Sequence, residues 1–315
     1  MAVTSIASCP LGIDVGGTKI AAALVSFPEG HVHARRVIPT RLERGGEAVL
    51  ADVLTLAREL ATEGNRHRFA VECIGLGICE LVDLSGNIAS ANCIAWRGLP
   101  IRERLSEIVP ALIEADVRAA ALAEALLGAG KSLRVFLYVT IGTGISSCLV
   151  LEGKPFVGAR GATGTMASSP LPCLSGTTNG ALTLEDIASG PGLVAQFNQH
   201  GRKAKSAQEV LAAAEAGDTE AMATVRSGAD LLGASIAGLI NMLDPQVVII
   251  GGGLGLSAGI YRDTIIAAAR RYIWSDLHRD LPIVPAALGV DAGIIGAAAA
   301  AWTRFGEASQ HGRGG

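Results

Sequence analysis

A strand, a turn of glycine and threonine, and a second strand occur twice in this chain of 315 residues, about 126 positions apart. The first turn is Gly16-Gly17-Thr18-Lys19, and the second is Gly142-Thr143-Gly144. Short apolar runs, which are typical of buried strands, flank both turns. A repeated strand–turn–strand unit predicts two domains built on one plan. A chain of this length can bury two cores.

Around these turns, the hydrophobic pattern alternates between strands and helices. Helices are predicted over 47–62, 116–127 and about 219–242, and strands over 31–38, 70–78, 111–114 and 246–250. The segment 158–180 is rich in Gly, Ser, Thr and Pro, which predicts an irregular loop, and we expect 307–315 to be disordered. Alternating strands and helices indicate α/β domains.

Charge and composition argue against several classes of protein. Lys and Arg number 26 against 29 Asp and Glu, so no basic field attracts nucleic acid or an anionic membrane. The longest apolar stretch, 292–302, is mostly alanine and falls well short of the ~18 residues that a membrane span needs. The first ten residues lack a signal-peptide pattern and the six cysteines form no CxxC pair. We therefore expect a cytoplasmic protein without nucleic-acid or membrane partners.

The glycine turns are candidate phosphate sites, because glycine admits a phosphate close to the backbone and successive amides bind anions. Beside the first turn, Asp14 offers a carboxylate that could hold Mg²⁺ through water. Thr18 and Lys19 add a hydroxyl and an ammonium group. The alternative for this turn, as for Gly142–Gly144, is an ordinary turn between two strands.

A third glycine turn, Gly251-Gly252-Gly253, follows a predicted strand and precedes a predicted helix. A dinucleotide-binding fold also places glycines there, and Gly253, Gly255 and Ala258 loosely match its fingerprint. That interpretation is weak because the turn comes late in the chain, without a first βαβ unit or a well-placed acid. A nucleotide held in a cleft between two domains accounts for all three turns.

Four segments resemble the ROK family (repressors, open reading frames, kinases) of the sugar-kinase, actin and Hsp70 superfamily. LGIDVGGTKIAAALV resembles the family's first phosphate motif, and VTIGTGISSCLVLEGKPFVGARGATG resembles its second phosphate segment. LINMLDPQVVIIGGGLG is similar to its adenosine segment, and ALGVDAGIIGAAAAAW to its closing helix. The matches follow the family order from about residue 11 to 303, and most enzymes of the family are bacterial hexose kinases.

The resemblance implies a two-domain, actin-like ATPase (ribonuclease H-like) α/β fold with the active site in the interdomain cleft. Residues 1–117 and 291–315 would form the small domain, and 118–290 the large one. ATP would be held by Gly16, Gly17, Thr18, Lys19, Gly142, Thr143, Gly144, Gly251, Gly252 and Gly253. Asp14 would hold Mg²⁺ through water, and Asp116 would be the general base, the alternative for Asp116 being a helix N-cap.

The resemblance also indicates sugar contacts, and here the chain departs from the family. Asn92 and Glu185 would touch the sugar, although Asn92 could be a turn residue and Glu185 a helix-start acid. The family's Gly-Glu-x-Gly-His reads Gly164-Thr165-Met166-Ala167-Ser168, so Thr165 and Ser168 replace a glutamate and a histidine in the sugar pocket. Its Asn-Asp pair reads Ala115-Asp116, and the next expected Asn is Arg118. The zinc motif survives only as Cys173, and one thiol cannot form a tetrahedral zinc site, so no zinc is expected.

Retained phosphate motifs beside an altered sugar pocket predict an ATP-dependent kinase that transfers the γ-phosphate to a hexose hydroxyl, the 6-hydroxyl. The substrate expected is an amino sugar such as kanosamine, because an ammonium group prefers carboxylates and hydroxyls to a histidine. The alternatives are an ordinary glucokinase or N-acetylhexosamine kinase and a catalytically weak, sugar-sensing pseudokinase. A ROK repressor is disfavoured, since Asp14 lies too close to the start for a helix-turn-helix domain. A homodimer is a further expectation, although no stripe in the sequence identifies an interface.

Overall fold

The computed structural model describes residues 7–171, 182–199 and 201–311. The chain divides into two compact units. Unit 1 consists of Met1–Ser132, Lys154–Thr163 and Asp291–Gly315, and unit 2 of Leu133–Gly153 and Gly164–Val290. No helix in the described part of the chain is long and apolar enough to cross a membrane.

Unit 1 contains a five-stranded sheet with helices packed against it. With elements numbered in chain order, its strands are β1 (Ala7–Ser8), β2 (Leu11–Val15), β3 (Lys19–Ser26), β4 (His31–Pro39), β5 (Phe69–Ala70), β6 (Ile74–Ile78), β7 (Ala111–Ala115) and β10 (Lys154–Pro155). Its helices are α1 (Gly46–Arg66), α2 (Ile101–Ser106), α3 (Asp116–Leu127) and α9 (Ala292–His311). The sheet has the order β4–β3–β2–β6–β7, while β1 and β5 pair separately.

Strands β2, β6 and β7 are parallel neighbours, so their carboxyl ends lie at one edge of the sheet. The residues after them, including the Gly16–Lys19 turn and Asp116, therefore meet at this edge. Helix α9 packs closely on the same strands because glycines leave room for it. A Cβ built on Gly12 would lie 2.1 Å from the carbonyl oxygen of Ile294, and one on Gly75 only 1.7 Å from that of Ala297.

Unit 2 repeats the plan of a sheet with helices against it. Its strands are β8 (Val135–Ile141), β9 (Ile145–Leu151), β11 (Val247–Gly251) and β12 (Ile283–Pro285), and its helices are α4 (Leu184–Ala188), α5 (Gly190–Asn198), α6 (Ala207–Glu215), α7 (Thr219–Leu243) and α8 (Ile260–Tyr272). The strands follow the order β9–β8–β11–β12, with β8 parallel to β11. Helix α7 contributes Val225, Leu232 and Ile236 to the core. The second and third glycine turns follow β8 and β11, at one edge of this sheet.

Three sequence predictions of local structure are wrong. The strand predicted over 70–78 is interrupted, because β5 pairs with β1 whereas β6 pairs with β2. The tail expected to be disordered from Glu307 is helical as far as His311, since no proline or glycine interrupts it between Gly306 and Gly312. Helices α4, α5 and α6 had no counterpart in the prediction. The segment predicted as loop contains a short 3-10 turn at Met166–Ser168, and its part from 172 to 180 lies outside the described residues.

Candidate active site

Two carboxylates, Asp14 and Asp116, flank Gly77 at the carboxyl edge of the unit 1 sheet. A Cβ built on Gly77 would lie 3.7 Å both from Oδ1 of Asp14 and from Cα of Asp116. Burial raises the pKa of Asp14 to about 6, with the Lys19 ammonium opposing the shift. Burial, and next the charge of Asp14, raise the pKa of Asp116 to about 7. A carboxylate with a pKa near neutrality is well matched to accept a proton at physiological pH.

The local backbone presents Asp116 at the first position of α3. Ala115 is the N-cap residue and provides no side-chain cap. The Asp116 carboxylate accepts a hydrogen bond of 2.6 Å from the backbone N–H of Val117. Asp116 is therefore not the N-cap residue, because Ala115 holds that position. Its carboxylate nevertheless accepts one N–H of the first helical turn.

Hydrogen bonds from Thr40, a residue that the sequence did not point to, fix the first glycine turn. Gly16 donates its N–H to the carbonyl of Lys19 at 3.0 Å. The fully buried Thr40 donates its hydroxyl to the Gly16 carbonyl at 2.6 Å and its N–H to the Thr18 carbonyl at 3.0 Å. Thr18 and Lys19 lie at the surface, so the turn is fixed in shape while these side chains are accessible.

Glu80 is a second residue that the sequence analysis missed, and it shapes the loop that carries Asn92. Glu80 is only 5% exposed, and its carboxylate accepts the hydroxyl of Ser90 together with three backbone N–H groups. These donors belong to Asn92 at 2.9 Å, Cys93 at 2.6 Å and Ile94 at 2.8 Å. The Asn92 side chain itself is exposed. The sequence signal for Glu80 was an acid two residues after a buried strand.

Arg118 lies two residues after Asp116 and ties three segments of unit 1 together. Its side chain is only 5% exposed. Nε donates to Glu114 at 2.6 Å, Nη1 to the Gly161 carbonyl at 2.9 Å and Nη2 to the Val82 carbonyl at 2.8 Å. The resemblance led us to expect an asparagine at this position. The guanidinium group of Arg118 is instead paired with the Glu114 carboxylate, and its remaining donors bond to backbone carbonyls.

In unit 2, the second and third glycine turns contact each other. The Ile141 carbonyl accepts the N–H groups of both Leu254 and Gly255 at 3.0 Å. Gly252 has a φ of +79°, and a Cβ there would lie 2.4 Å from that same carbonyl oxygen. Only glycine satisfies both conditions, so the backbone of this turn is specified by sequence.

Glu185 braces the second turn. Its Oε2 accepts the Ile145 N–H at 2.7 Å, and a Cβ on Gly144 would approach that oxygen to 2.9 Å. Glu185 is an acid in the first turn of α4, as its helix-start alternative describes, while Thr183 and Asp186 form the capping box of that helix. The Glu185 side chain bonds to the glycine turn as well. The 3-10 turn that follows Thr165 packs against α4, and Thr165 and Ser168 are both exposed.

The zinc expectation is tested only in part. Over residues 7–171, 182–199 and 201–311, no group of three or more His, Cys, Asp or Glu side chains could hold a metal ion. Cys173 lies outside these ranges, so the absence of zinc stays a prediction. A Mg²⁺ ion bound mainly through water and phosphate needs only one or two carboxylates, so the role of Asp14 in holding Mg²⁺ through water also stays a prediction.

Comparison with known proteins places the chain in a family. The ROK family pattern matches residues 10–304. The chain belongs to the ROK family. A glucokinase from Halalkalibacterium halodurans is 29% identical over 91% of this chain and 92% of its own length. An N-acetylmannosamine kinase from Yersinia pseudotuberculosis is 30% identical over 93% and 98%, respectively. The structure of a ROK family glucokinase from Streptomyces griseus, in complex with glucose and AMPPNP, has a TM-score of 0.81 at 25% identity and covers 94% of this chain and 99% of its own.

Membership in the ROK family confirms the resemblance and, with it, the actin-like ATPase fold of two α/β units. The prediction of an ATP-dependent carbohydrate kinase is also confirmed, since the similar proteins are sugar kinases. The roles of individual residues and the identity of the sugar stay predictions.

Proposed function

We propose that this ROK kinase transfers the γ-phosphate of ATP to the 6-hydroxyl of a hexose, with Asp116 as general base. The observation that carries the proposal is the position of Asp116 beside Asp14, at the sheet edge that also bears the Gly16–Lys19 turn. Asp116 would accept the proton of the sugar hydroxyl as the hydroxyl oxygen bonds to phosphorus and ADP leaves. Its pKa of about 7 fits that role.

ATP would be bound by the backbone amides of the three glycine turns, with Thr18, Lys19 and Thr143 adding side-chain donors. Asp14 would hold Mg²⁺ through water, and the ion would neutralise phosphate charge. The rigid bonding of the turns through Thr40, Glu185 and Ile141 supports this role, because a preorganised site loses little entropy on binding. We propose the cytoplasm, where ATP is abundant, as the compartment.

An amino sugar such as kanosamine is the substrate that we propose, and the charge of the candidate site supports it. In unit 1 the charge of Asp14 acts on Asp116, and the ammonium group of Lys19 acts on Asp14. Burial and then the charge of Asp14 raise the pKa of Asp116, and a cationic amino group on the substrate would offset the effect of the Asp14 charge. Asn92 and Glu185 are the other proposed sugar contacts. Thr165 and Ser168 offer hydroxyls that can accept from an ammonium group.

Two neutral-sugar alternatives are supported by the names of the relatives, a glucokinase and an N-acetylmannosamine kinase. A sugar-sensing pseudokinase is the third alternative. The test is ADP release with ATP and Mg²⁺ across glucose, mannose, N-acetylglucosamine, N-acetylmannosamine, glucosamine and kanosamine. We expect kcat/KM for an amino sugar to exceed that for glucose at least about tenfold. Better turnover of glucose or an N-acetylhexosamine contradicts the amino-sugar proposal, and ATP binding without turnover favours the sensor.

A matched variant sharpens the test. Thr165→Glu combined with Ser168→His restores the carboxylate and imidazole of the family motif at exposed positions, so the fold should tolerate both changes. We expect the double variant to shift preference toward glucose. An unchanged ratio of kcat/KM values would show that these positions do not select the sugar.

A further inference from the structure

Two thiol groups, those of Cys79 and Cys93, lie together beside the candidate base in unit 1. The Cys79 thiol is hydrogen-bonded to that of Cys93, and the charge of Asp116 acts on Cys79. Cys93 in turn acts on Asp116. We call Cys79 and Cys93 the thiol pair. The proposed phosphate transfer uses neither of them.

The backbone brings the thiol pair together from two segments of unit 1. Cys79 directly follows β6, at the carboxyl edge of the sheet, and donates its N–H to the Val15 carbonyl at 3.2 Å. Cys93 follows Asn92 in the chain, and its N–H donates to the Glu80 carboxylate at 2.6 Å. Because Glu80 is the chain neighbour of Cys79, this hydrogen bond fixes the two segments side by side.

Partial exposure distinguishes the thiol pair from the other cysteines that the structure describes. Cys9, Cys73 and Cys148 are buried, with at most 2% of their surface exposed, whereas Cys79 and Cys93 are partly exposed. A buried cysteine behaves as a small apolar residue, and reaction with an oxidant requires access from solvent. The thiol pair therefore combines access with a second thiol in contact.

We propose that Cys79 and Cys93 form a reversible disulfide on exposure to a peroxide, and that this disulfide weakens sugar binding. Cys93 attacks a peroxide oxygen, which gives a sulfenic acid and releases one water molecule. The Cys79 sulfur then attacks the sulfenic sulfur, so that the S–S bond forms and a second water molecule leaves. The two thiols lose two electrons and two protons, and hydrogen peroxide is reduced to two water molecules. A small thiol reverses the modification by exchange.

The hydrogen bond between the thiols sets the order of these steps. The hydrogen bond to Cys93, then burial, then the charge of Asp116 raise the pKa of Cys79, so this thiol keeps its proton. Since the thiolate is the form that attacks peroxide, Cys93 reacts first and Cys79 resolves the sulfenic acid. The contact between them makes the second step intramolecular, which favours it over reaction with a thiol from solution.

Formation of the disulfide moves the loop that carries Asn92. A disulfide holds its sulfur atoms at about 2.05 Å, closer than two hydrogen-bonded thiols. Three successive N–H groups of the loop, including that of Cys93, donate to Glu80, so a shift of Cys93 disturbs all three hydrogen bonds. The effect on the sugar rests on the proposed function, in which Asn92 contacts the sugar and Asp116 is the base. Thr40 fixes the first glycine turn separately, so ATP binding should change little.

The test exposes the full chain to hydrogen peroxide for about an hour and locates disulfides by non-reducing peptide mapping. We expect a linkage between Cys79 and Cys93. We also expect kcat/KM to fall at least about tenfold for the sugar that the reduced protein phosphorylates best, while KM for ATP changes by less than about twofold. Dithiothreitol should remove the linkage and restore activity.

Cys79→Ser and Cys93→Ser separate this site from oxidation elsewhere, and in each the ratio of treated to untreated activity should stay unchanged. Cys148→Ser is the matched control in unit 2, because serine keeps a donor for the Leu149 carbonyl, and it should lose activity as the wild type does. Inhibition that persists in both pair variants, or a linkage that leaves the sugar kinetics unchanged, would overturn the proposal.

The two proposals fail in different ways, because peptide mapping needs no sugar. A wild type that forms no linkage between Cys79 and Cys93 would overturn the modification site, whatever the enzyme phosphorylates. A reduced protein that turns over no sugar would instead contradict the proposed function.

Discussion

At the residue scale, the proposed function depends on the neighbouring carboxylates of Asp14 and Asp116. Both were predicted from motifs, because Asp14 lies near the end of an apolar strand, Asp116 directly follows one, and each belongs to a short segment that resembles the family. The residues that fix their surroundings were not predictable in the same way. Thr40, Glu80 and Arg118 act through partners up to 43 positions away in the chain, and one sequence does not show which distant groups meet.

The raised pKa of Asp116 predicts the pH dependence of catalysis. The base must be ionised, so kcat/KM should rise about tenfold per pH unit until pH approaches about 7 and then level off. Because Asp14 interacts with Asp116, the measured value belongs to the pair. A profile that is flat from mildly acidic to mildly alkaline pH would contradict the role of this carboxylate.

The same shift has a consequence for stability. A carboxyl whose pKa is higher in the folded state contributes stability below its unfolded pKa, and this contribution is lost as pH rises through about 7. Asp116→Asn should therefore unfold at higher temperature than the wild type in alkaline buffer, and this difference should shrink toward acidic pH.

Arg118 provides a further test at the residue scale. Arg118→Met leaves the Gly161 and Val82 carbonyls without their donor and Glu114 without its cation, so we expect a loss of about 2–4 kcal/mol in stability. Because Val82 lies in the loop that leads to Asn92, and Gly161 shortly before Thr165, the sugar KM should rise more than the ATP KM.

Arg118→Lys is the conservative comparison, since it keeps the charge but not the planar fork and should recover only part of the loss. Arg262→Met removes a guanidinium from unit 2 that donates to the Leu256 carbonyl at 3.3 Å, and it serves as the control for sugar KM. If the sugar KM and the ATP KM changed equally in Arg118→Met, the role of Arg118 would be purely structural.

At the element scale, helices and strands with a regular hydrophobic period were predicted well, whereas short elements were not. The helix predicted over 116–127 matches α3, and the strand predicted over 111–114 matches β7 to within one residue. Helix α4 has only five residues and is defined by the capping box between Thr183 and Asp186, which is too short to produce a helical period. The break between β5 and β6 depends on pairing with different strands, which local pattern does not reveal.

The approach of α9 to the unit 1 sheet predicts a strong effect of one methyl group. Gly75→Ala would place Cβ 1.7 Å from the Ala297 carbonyl oxygen, so it should destabilise unit 1 by about 3 kcal/mol or more. Gly238→Ala in α7 meets nothing within 4 Å and should stabilise by about 0.5–1 kcal/mol. The measurement is the midpoint temperature of thermal unfolding of the two variants. Similar midpoints for Gly75→Ala and Gly238→Ala would contradict the tight packing of α9.

At the scale of the whole molecule, the sequence predicted two α/β units because the strand–turn–strand plan repeats. The two turns serve as candidate phosphate sites, but their surroundings differ. Thr40 closes the first turn, whereas Glu185 and the N–H of Gly190 brace the second.

The central claim is that this chain transfers phosphate with Asp116 as its base. The most direct measurement compares sugar-dependent ADP release by the wild type and Asp116→Asn, with ATP affinity measured on both proteins. We expect the variant to lose turnover by at least about 100-fold while its affinity for ATP stays within about twofold of the wild type. Equal turnover in the two proteins would contradict it.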